Sequence, residues 1–199
     1  MRNLVYYIGM SIDGVIAGPQ GEVDFFPVGG PATASAYAAW MNERYPETVP
    51  TGMRAAAGIA DAPNRRFDAV VLGMGTYRPA LDHGVTSPYA HLRQYVVSST
   101  LGSAVDPAVE VIGSDPAARI RELKKQDGGD IWLCGGGELA ASLLPEIDEM
   151  IIKSYPVVAG AGARVFSGAF DPAYFVPENR ETFDNGVIVT WFRRRLPSH

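Results

Sequence analysis

Apolar runs alternate with short helix-forming stretches between residues 67 and 144, and this alternation constrains the fold more than any other feature. Strand–helix–strand repeats of this kind build a parallel sheet that carries helices on both faces. The predicted strands are 67–72, 95–98, 109–112 and 131–134, and the predicted helices are 76–81, 116–126 and 138–144. Asp115 is a suitable N-cap for the second of these helices.

The two ends of the chain complete this plan. A buried strand is predicted at 3–9, with a short extended piece at 15–17, whereas the C-terminal part contains strands at 149–158, 174–183 and 187–193. The turn at 184–186 has the Asp-Asn-Gly composition of a hairpin. We therefore predict a three-layer α/β fold with a mixed, mostly parallel sheet flanked by helices and an antiparallel C-terminal hairpin. At 199 residues the chain is expected to form one domain, 1–199.

Residues 27–66 interrupt the pattern and form a predicted irregular insertion. A helix is expected at 32–44, where Tyr37, Trp40 and Met41 make an apolar stripe. Such stripes are more often core than binding site. The proline-containing stretch 45–66 is expected to hold one short helix, and a connection of this length is suited to a lid or a dimer contact.

Composition excludes several classes of function. A net charge of −5 argues against nucleic-acid binding, and three histidines without ligand spacing argue against a metal. The single cysteine, Cys134, fits a reducing compartment and is expected to be a core residue. No apolar run approaches the length of a membrane span, and the N-terminus lacks the features of a signal peptide. We expect a cytoplasmic protein without a membrane partner.

Three consecutive glycines, Gly135, Gly136 and Gly137, lie between a predicted strand and a predicted helix. Glycines allow the backbone to approach a ligand closely, and the start of a helix favours an anion. A diphosphate is the obvious candidate, although a plain strand-to-helix turn would use the same residues. Two more strand ends carry small or hydroxyl residues, at 73–76 and 98–100, and carboxyl ends of strands are where α/β sheets bind ligands.

The set of motifs resembles the dihydrofolate reductase fold, and in particular the C-terminal reductase domain of the bifunctional riboflavin-biosynthesis deaminase-reductase and its stand-alone bacterial relatives. The motifs are Ser-x-Asp-Gly-x-Ile-Ala at 11–17, Gly-x-Gly-Thr-Tyr at 73–77, the glycine triplet, and the stretches 94–100, 155–162 and 182–190. The resemblance implies an NAD(P)H-dependent oxidoreductase that transfers hydride to a small pterin- or pyrimidine-like heterocycle or to a carbonyl substrate. It also makes a homodimer the expected assembly, which alternating apolar residues in strands 149–158 and 187–193 further suggest.

The resemblance also implies site residues. The nicotinamide end of the cofactor would lie beside the first strand and its turn, from Gly9 to Ala17. The implied cofactor contacts are Ile16, Ala17, Gly73, Gly75, Thr76, Ser98, Ser99, Gly135, Gly136, Gly137, Glu138 and Leu139, and the implied substrate contacts are Tyr37, Trp40 and Met41.

Two departures from the resemblance bear on function. Many relatives have an arginine, suited to a 2′-phosphate, where this chain has Met74. The missing arginine weakens the case for NADPH over NADH, so the expected cofactor is NADPH with NADH as an alternative. Arg78 and Arg93 are possible substitutes. The helix at 32–42 contains no carboxylate, which argues against a genuine dihydrofolate reductase.

The remaining candidates for proton transfer are Asp13, which could equally form an Asx turn, and Asp24, which could equally be a solvated loop residue. A non-catalytic nucleotide-binding module remains the alternative from another class.

Overall fold

Eight strands form one sheet in the order β5-β4-β3-β6-β1-β7-β10-β9 in the computed structural model, which describes residues 1–27, 31–102 and 106–195, with side chains in the first helix from residue 36 onward. The strands of this sheet are β1 Leu4–Ser11, β3 Phe67–Gly73, β4 Arg93–Val97, β5 Val109–Ile112, β6 Asp130–Gly135, β7 Glu149–Tyr155, β9 Phe175–Thr182 and β10 Ile188–Arg194. The first six strands in this order, from β5 across the sheet to β7, pair in parallel. Strand β10 is antiparallel to β7, and β9 is antiparallel to β10. The predicted mixed sheet with an antiparallel C-terminal hairpin is confirmed.

Helices cover both faces of the sheet, which gives three layers. The helices are α1 Pro31–Arg44, α2 Met74–Asp82, α3 Pro116–Lys124 and α4 Gly137–Ser142. Side chains of α1 and α2 pack into one buried cluster and those of α3 and α4 into the other. Period-two alternation along β1 divides its residues between these clusters, with Tyr7 on the first face and Tyr6 on the second.

The first of these faces, named here the aromatic face, is lined by stacked and edge-on rings. Tyr45, Phe67 and Trp132 stack along it, and Tyr7 packs against all three. The Trp132 indole donates a hydrogen bond to the Tyr7 carbonyl over 3.1 Å, so the strands are also tied through side chains. Buried aromatic rings supply much of the apolar contact in such a core.

The stretch 45–66 is tied to the sheet by one buried carboxylate. It forms two 3₁₀ turns, Pro46–Thr48 and Thr51–Met53. Glu47 is fully buried and accepts hydrogen bonds from the backbone N–H groups of Arg65, Arg66 and Phe67. The buried charge is thereby satisfied and fixes where β3 begins.

A small second sheet lies beside the carboxyl ends of the parallel strands. It consists of β2 Val15–Ala17 and β8 Ala163–Arg164, which pair antiparallel. The sequence predicted the first of these strands and not the second. At the other helix boundary, Asp115 caps α3 as predicted, since its side chain accepts a hydrogen bond of 2.9 Å from the Ala118 N–H.

Candidate active site

A cleft of about 980 Å³ runs along the carboxyl edge of the parallel strands. Its walls come from the ends of β3, β4, β5 and β6, from the first turns of α2 and α4, and from the β2–β8 pair. This volume lies at the upper end of the range for small-molecule and cofactor sites, about 300–1,000 Å³. The carboxyl edge is also where open α/β sheets bind their ligands.

The three glycines of the triplet are required for three different reasons. Gly135 has a φ of +117°, which disfavours any residue with a side chain. A Cβ at Gly137 would stand 1.9 Å from the carbonyl oxygen of Arg164, so the main chains of α4 and β8 touch there. A Cβ at Gly136 would meet only Thr76 Oγ1 at 3.8 Å and Ile16 Cδ1 at 4.0 Å. Gly136 is thus the member of the triplet whose missing side chain leaves space in the cleft.

The loop after β3 packs against the glycine triplet. A Cβ at Gly73 would lie 3.3 Å from both the Gly135 carbonyl oxygen and the Gly136 nitrogen. Gly75 is exposed, with no atom within 4 Å of the position where its Cβ would be. The two loops therefore share one wall, and the α2 end of that wall is open to a ligand.

The loop after β4 uses its first serine internally. Ser98 is buried, and its Oγ accepts hydrogen bonds from the N–H groups of Leu101 and Thr100 over 3.1 and 3.3 Å. Ser99 is exposed on the cleft wall. Of the two serines, Ser99 is the one whose hydroxyl is available to a ligand.

The β2–β8 pair closes the opposite wall and contains a residue that the sequence interpretation missed. Arg164 is the one cationic side chain among the described residues that line the cleft, and its guanidinium donates to the Asp13 carbonyl. Glu138, the one carboxylate there, is exposed. Arg164 follows directly on the motif at 155–162, and only the pairing of β8 with β2 brings it to the cleft.

The structure therefore brings most of the predicted cofactor residues together. The cleft is lined by Ile16, Ala17, Gly73, Gly75, Thr76, Ser98, Ser99, Gly136, Gly137, Glu138 and Leu139. Gly135 is buried beside the lining, under its two glycine neighbours.

Asp13 lies in the turn between β1 and β2, where its carboxylate accepts three hydrogen bonds. The donors are the Ser11 hydroxyl at 2.6 Å and the N–H groups of Ala159 and Gly160 at 3.0 and 2.8 Å. The Ser11 bond, followed by the Ala159 bond, lowers the pKa of Asp13 well below its usual range. A carboxylate that stays ionised is a poor proton donor, so the geometry favours a structural role in holding the 156–160 loop.

The other predicted reaction residues lie in two places. Asp24 is exposed in a turn. Tyr37 is buried on the aromatic face, its hydroxyl 3.1 Å from that of Tyr155, and Trp40 packs on Phe183 and Trp191. The Met41 sulfur accepts a hydrogen bond from the hydroxyl of Tyr7. The stripe on α1 thus belongs to the aromatic core rather than to the cleft lining.

The structure also shows where Arg78 and Arg93, the two possible partners for a 2′-phosphate, lie. Arg93 begins β4, at the sheet edge opposite the cleft, and pairs with Asp68 at 2.9 Å. It is therefore not available to a ligand in the cleft, which corrects its interpretation as a substitute for an arginine at position 74. Arg78 is exposed on α2 and is not among the cleft-lining residues.

Two searches of the described ranges add limits. Within 1–27, 31–102 and 106–195 no group of histidine, cysteine, aspartate and glutamate side chains is arranged to hold a metal ion. In the same ranges no helix combines the length and apolar character needed to span a bilayer.

The sheet order and the cleft at its carboxyl edge define a dihydrofolate reductase-like fold. The chain belongs to the RibD C-terminal domain family, whose model matches residues 2–189. It is similar to two Bacillus subtilis proteins named as uncharacterized. YwjB is 31% identical over 167 residues, covering 83% of each chain, and YyaP is 25% identical over 199 residues, covering 94% of this chain and 92% of that protein.

Solved structures share the fold. A riboflavin biosynthesis protein from Shewanella sp. PV-4 superposes with a TM-score of 0.67 at 24% identity, covering 98% of this chain and 100% of that one. Dihydrofolate reductase from Enterococcus faecalis, solved with NADP(H), gives a TM-score of 0.60 at 14% identity and covers 96% of both chains. These likenesses establish the architecture.

Proposed function

We propose that this protein is a pyridine-nucleotide-dependent reductase that holds NADPH or NADH in the carboxyl-edge cleft. The substrate class is a small pterin- or pyrimidine-like heterocycle or a carbonyl compound. When bound, the reduced nicotinamide supplies a hydride. The chain's own residues bind and orient the cofactor and exclude water from the reacting bond.

One observation carries this proposal: three glycine- and hydroxyl-rich strand ends converge on a single cleft with the β2–β8 pair. The loops 73–76, 98–100 and 135–139 come from three different parts of the sequence, and the cleft volume accommodates a dinucleotide-sized ligand. Gly75 leaves open space where a side chain would otherwise project, and a Cβ at Gly136 would meet its neighbours only at ordinary contact distances. The exposed backbone at these positions is suited to phosphate oxygens.

The charge of the cleft bears on the choice between NADPH and NADH. Arg164, the cation among the described lining residues, lies on β8 and is suited to a diphosphate next to Gly137. The wall formed by Ser98, Ser99 and Thr100 carries hydroxyls and no charge. We therefore propose only a modest preference for NADPH over NADH.

Membership of the RibD C-terminal domain family supports a riboflavin-pathway type of reductase over a genuine dihydrofolate reductase. Among the described side chains of α1, the one carboxylate is Glu43, which is exposed near the helix end, away from the aromatic face. A dihydrofolate reductase uses a carboxylate on this helix, so dihydrofolate is expected to be a poor substrate.

Cofactor binding tests the proposal directly. NADPH and NADH are titrated calorimetrically against the wild type, Gly136→Val and Gly52→Val. The Gly136 substitution is expected to abolish binding, because the side chain fills the cleft. Gly52 is an exposed control outside the cleft, with no atom within 4 Å of its Cβ position. If Gly136→Val binds as the wild type does, the loop assignment is wrong.

Turnover distinguishes an enzyme from a non-catalytic nucleotide-binding module. NAD(P)H oxidation is followed at 340 nm with pterins, flavins, quinones and dihydrofolate as substrates. An enzyme oxidises the cofactor in a substrate-dependent way. Tight binding without turnover of any compound on the panel would favour the non-catalytic module.

A further inference from the structure

Lys153 is a charged residue in the middle of β7, where it directly follows the apolar residues 150–152. Its ammonium lies over the ring of Tyr7, 4.1 Å from the ring centroid, in a cation–π contact. The side chain is largely but not completely withdrawn from solvent. A lysine in such a place needs a reason, because burying an ammonium costs free energy.

The surroundings of Lys153 offer it no counter-charge. Among the described residues no carboxylate pairs with its ammonium and no side chain accepts a hydrogen bond from it. The titratable groups that face it are Tyr7 of β1, Cys134 of β6 and the hydrogen-bonded hydroxyl of Tyr155 on its own strand. The β10 residue in register with it is the apolar Val189.

The register of the strands places Lys153 beside the segment where the nicotinamide end of the cofactor was expected. It pairs with Gly9 of β1, the residue at which the nicotinamide end was expected to begin. Because Gly9 has no side chain, Lys153 Cε lies 3.8 Å from the position where a Cβ would be. Cys134, which interacts electrostatically with Lys153, lines the cleft itself. The ammonium therefore lies on the aromatic face, within electrostatic range of a residue that lines the cleft.

From this placement we infer that Lys153 is the proton donor of the reductase, a role that rests on the proposed function. The carboxylate of Asp13 is held ionised by three hydrogen bonds, whereas Lys153 interacts with the cleft-lining Cys134 and, among the described residues, has no anionic partner that would retain its proton. The substrate's acceptor nitrogen or oxygen would lie between the ammonium and the cleft.

Reduction of a C=N or C=O bond adds a hydride to carbon, and the electron pair of the broken π bond passes to nitrogen or oxygen. That atom takes a proton from the Lys153 ammonium, so an N–H bond of the lysine breaks and an N–H or O–H bond of the product forms. The neutral amine is then reprotonated by water, and the reduced pyridine nucleotide is the species oxidised.

The pKa of the Lys153 ammonium suits a proton donor. Burial lowers the pKa of Lys153 from 10.5 to about 8, and its interaction with Cys134 opposes the shift. Burial also raises the pKa of the Cys134 thiol to about 12, so the thiol stays neutral beside the ammonium. A donor whose pKa lies near the working pH transfers its proton most effectively.

Direct titration of the lysine tests the inference without relying on turnover. The sequence contains only three lysines, Lys124, Lys125 and Lys153, so NMR of protein labelled at lysine Cε resolves them, with Lys153→Met for assignment. Lys153 is expected to titrate near 8. Its pKa should be lower with NADP⁺ than with NADPH by roughly one unit, because the oxidised ring is cationic. If cofactor binds and the two titrations coincide, Lys153 is not at the reaction centre.

The second measurement is turnover of a substrate that the panel assay has identified. Lys153→Met is expected to lose about 100-fold or more in kcat while cofactor affinity stays unchanged. Lys153→Arg should not restore the rate, because a guanidinium does not release its proton. Wild-type kcat should fall as pH rises through about 8, and Lys125→Met, an exposed control, should match the wild type.

The outcomes separate the two proposals. Failure of NADPH and NADH to bind the wild type would overturn the proposed function and this role with it. Normal cofactor binding together with wild-type kcat and pH profile in Lys153→Met would overturn the role of Lys153 alone.

Discussion

Lys153 destabilises the fold in its charged form, and this gives a prediction that is independent of any ligand. Its folded pKa of about 8 lies below the unfolded value of 10.5, so below pH 8 the native state carries the full cost of burying the charge. Lys153→Met should raise the free energy of unfolding at pH 7 by about 1–2 kcal/mol. This is less than complete burial would give, because the side chain keeps some contact with solvent.

The pH dependence has a definite sign. Between pH 8 and 10.5 the unfolded chain binds more protons at this position, so wild-type stability rises with pH and the advantage of Lys153→Met shrinks. Urea unfolding at pH 7 and pH 10.5 measures both effects, with Lys125→Met as the control. A methionine variant no more stable than the wild type at pH 7 would show that the ammonium is well solvated.

The residues that sequence interpretation missed share a physical cause. Lys153 and Arg164 reach the site only through pairings between distant segments, β7 with β1 and β8 with β2. Local patterns carry no information on such registers. One signal was available for Lys153, since it directly follows three apolar residues, 150–152, in a predicted strand, and lysines are seldom buried without a partner.

At the scale of elements, the glycine triplet yields a prediction about how the loop is supported. Gly137→Ala should destabilise the protein strongly, because its Cβ would overlap the Arg164 carbonyl oxygen and push β8 away from α4. Gly136→Ala should leave stability nearly unchanged, since its Cβ finds ordinary contact distances. Thermal unfolding of the two variants tests this difference in stability. Equal melting temperatures would show that β8 moves aside without a loss of stability.

Most elements could be predicted from the sequence because their local signals agree with the fold. The β/α alternation between 67 and 144 gave the parallel strands, and Asp115 and Pro116 marked the start of α3. Strand β8 could not be predicted, because it has two residues and exists only by pairing with β2. The stripe on α1 illustrates a different limit, since a core helix and a pocket-lining helix have the same periodicity.

The whole molecule covers the two strand faces that were predicted to form a dimer contact. The alternating apolar residues that suggested a partner surface are buried within the chain, on the aromatic face: Ile151, Tyr155, Val187, Val189 and Trp191. Helix α1 and its surroundings therefore cover this face. One exposed candidate is edge strand β9, where Val176 is 49% exposed and Tyr174, directly before the strand, is 68% exposed.

We still expect a homodimer and now expect it to use β9. The exposed Val176 on this edge strand, with Tyr174 just before it, is suited to a partner, whereas Glu178 and Arg180 on the same strand disfavour indiscriminate pairing. Light scattering should give twice the 21.4 kDa mass of one chain, and Val176→Asp should halve it. Val158→Asp, at another exposed valine, is the control. A mass of one chain at all concentrations would contradict the expectation.

Neighbouring side chains of β1 point to opposite faces of the sheet, so residues near the site belong to two different clusters. Ile8, Val97 and Leu139 at the cleft pack toward the α3–α4 side, whereas Tyr7, Met41 and Tyr155 near Lys153 belong to the aromatic side. If the cleft holds the cofactor as proposed, substitutions on the aromatic side would change which compound is reduced while the glycine-rich loops still bind the cofactor. The glycine-rich loops would then be a poor guide to the substrate.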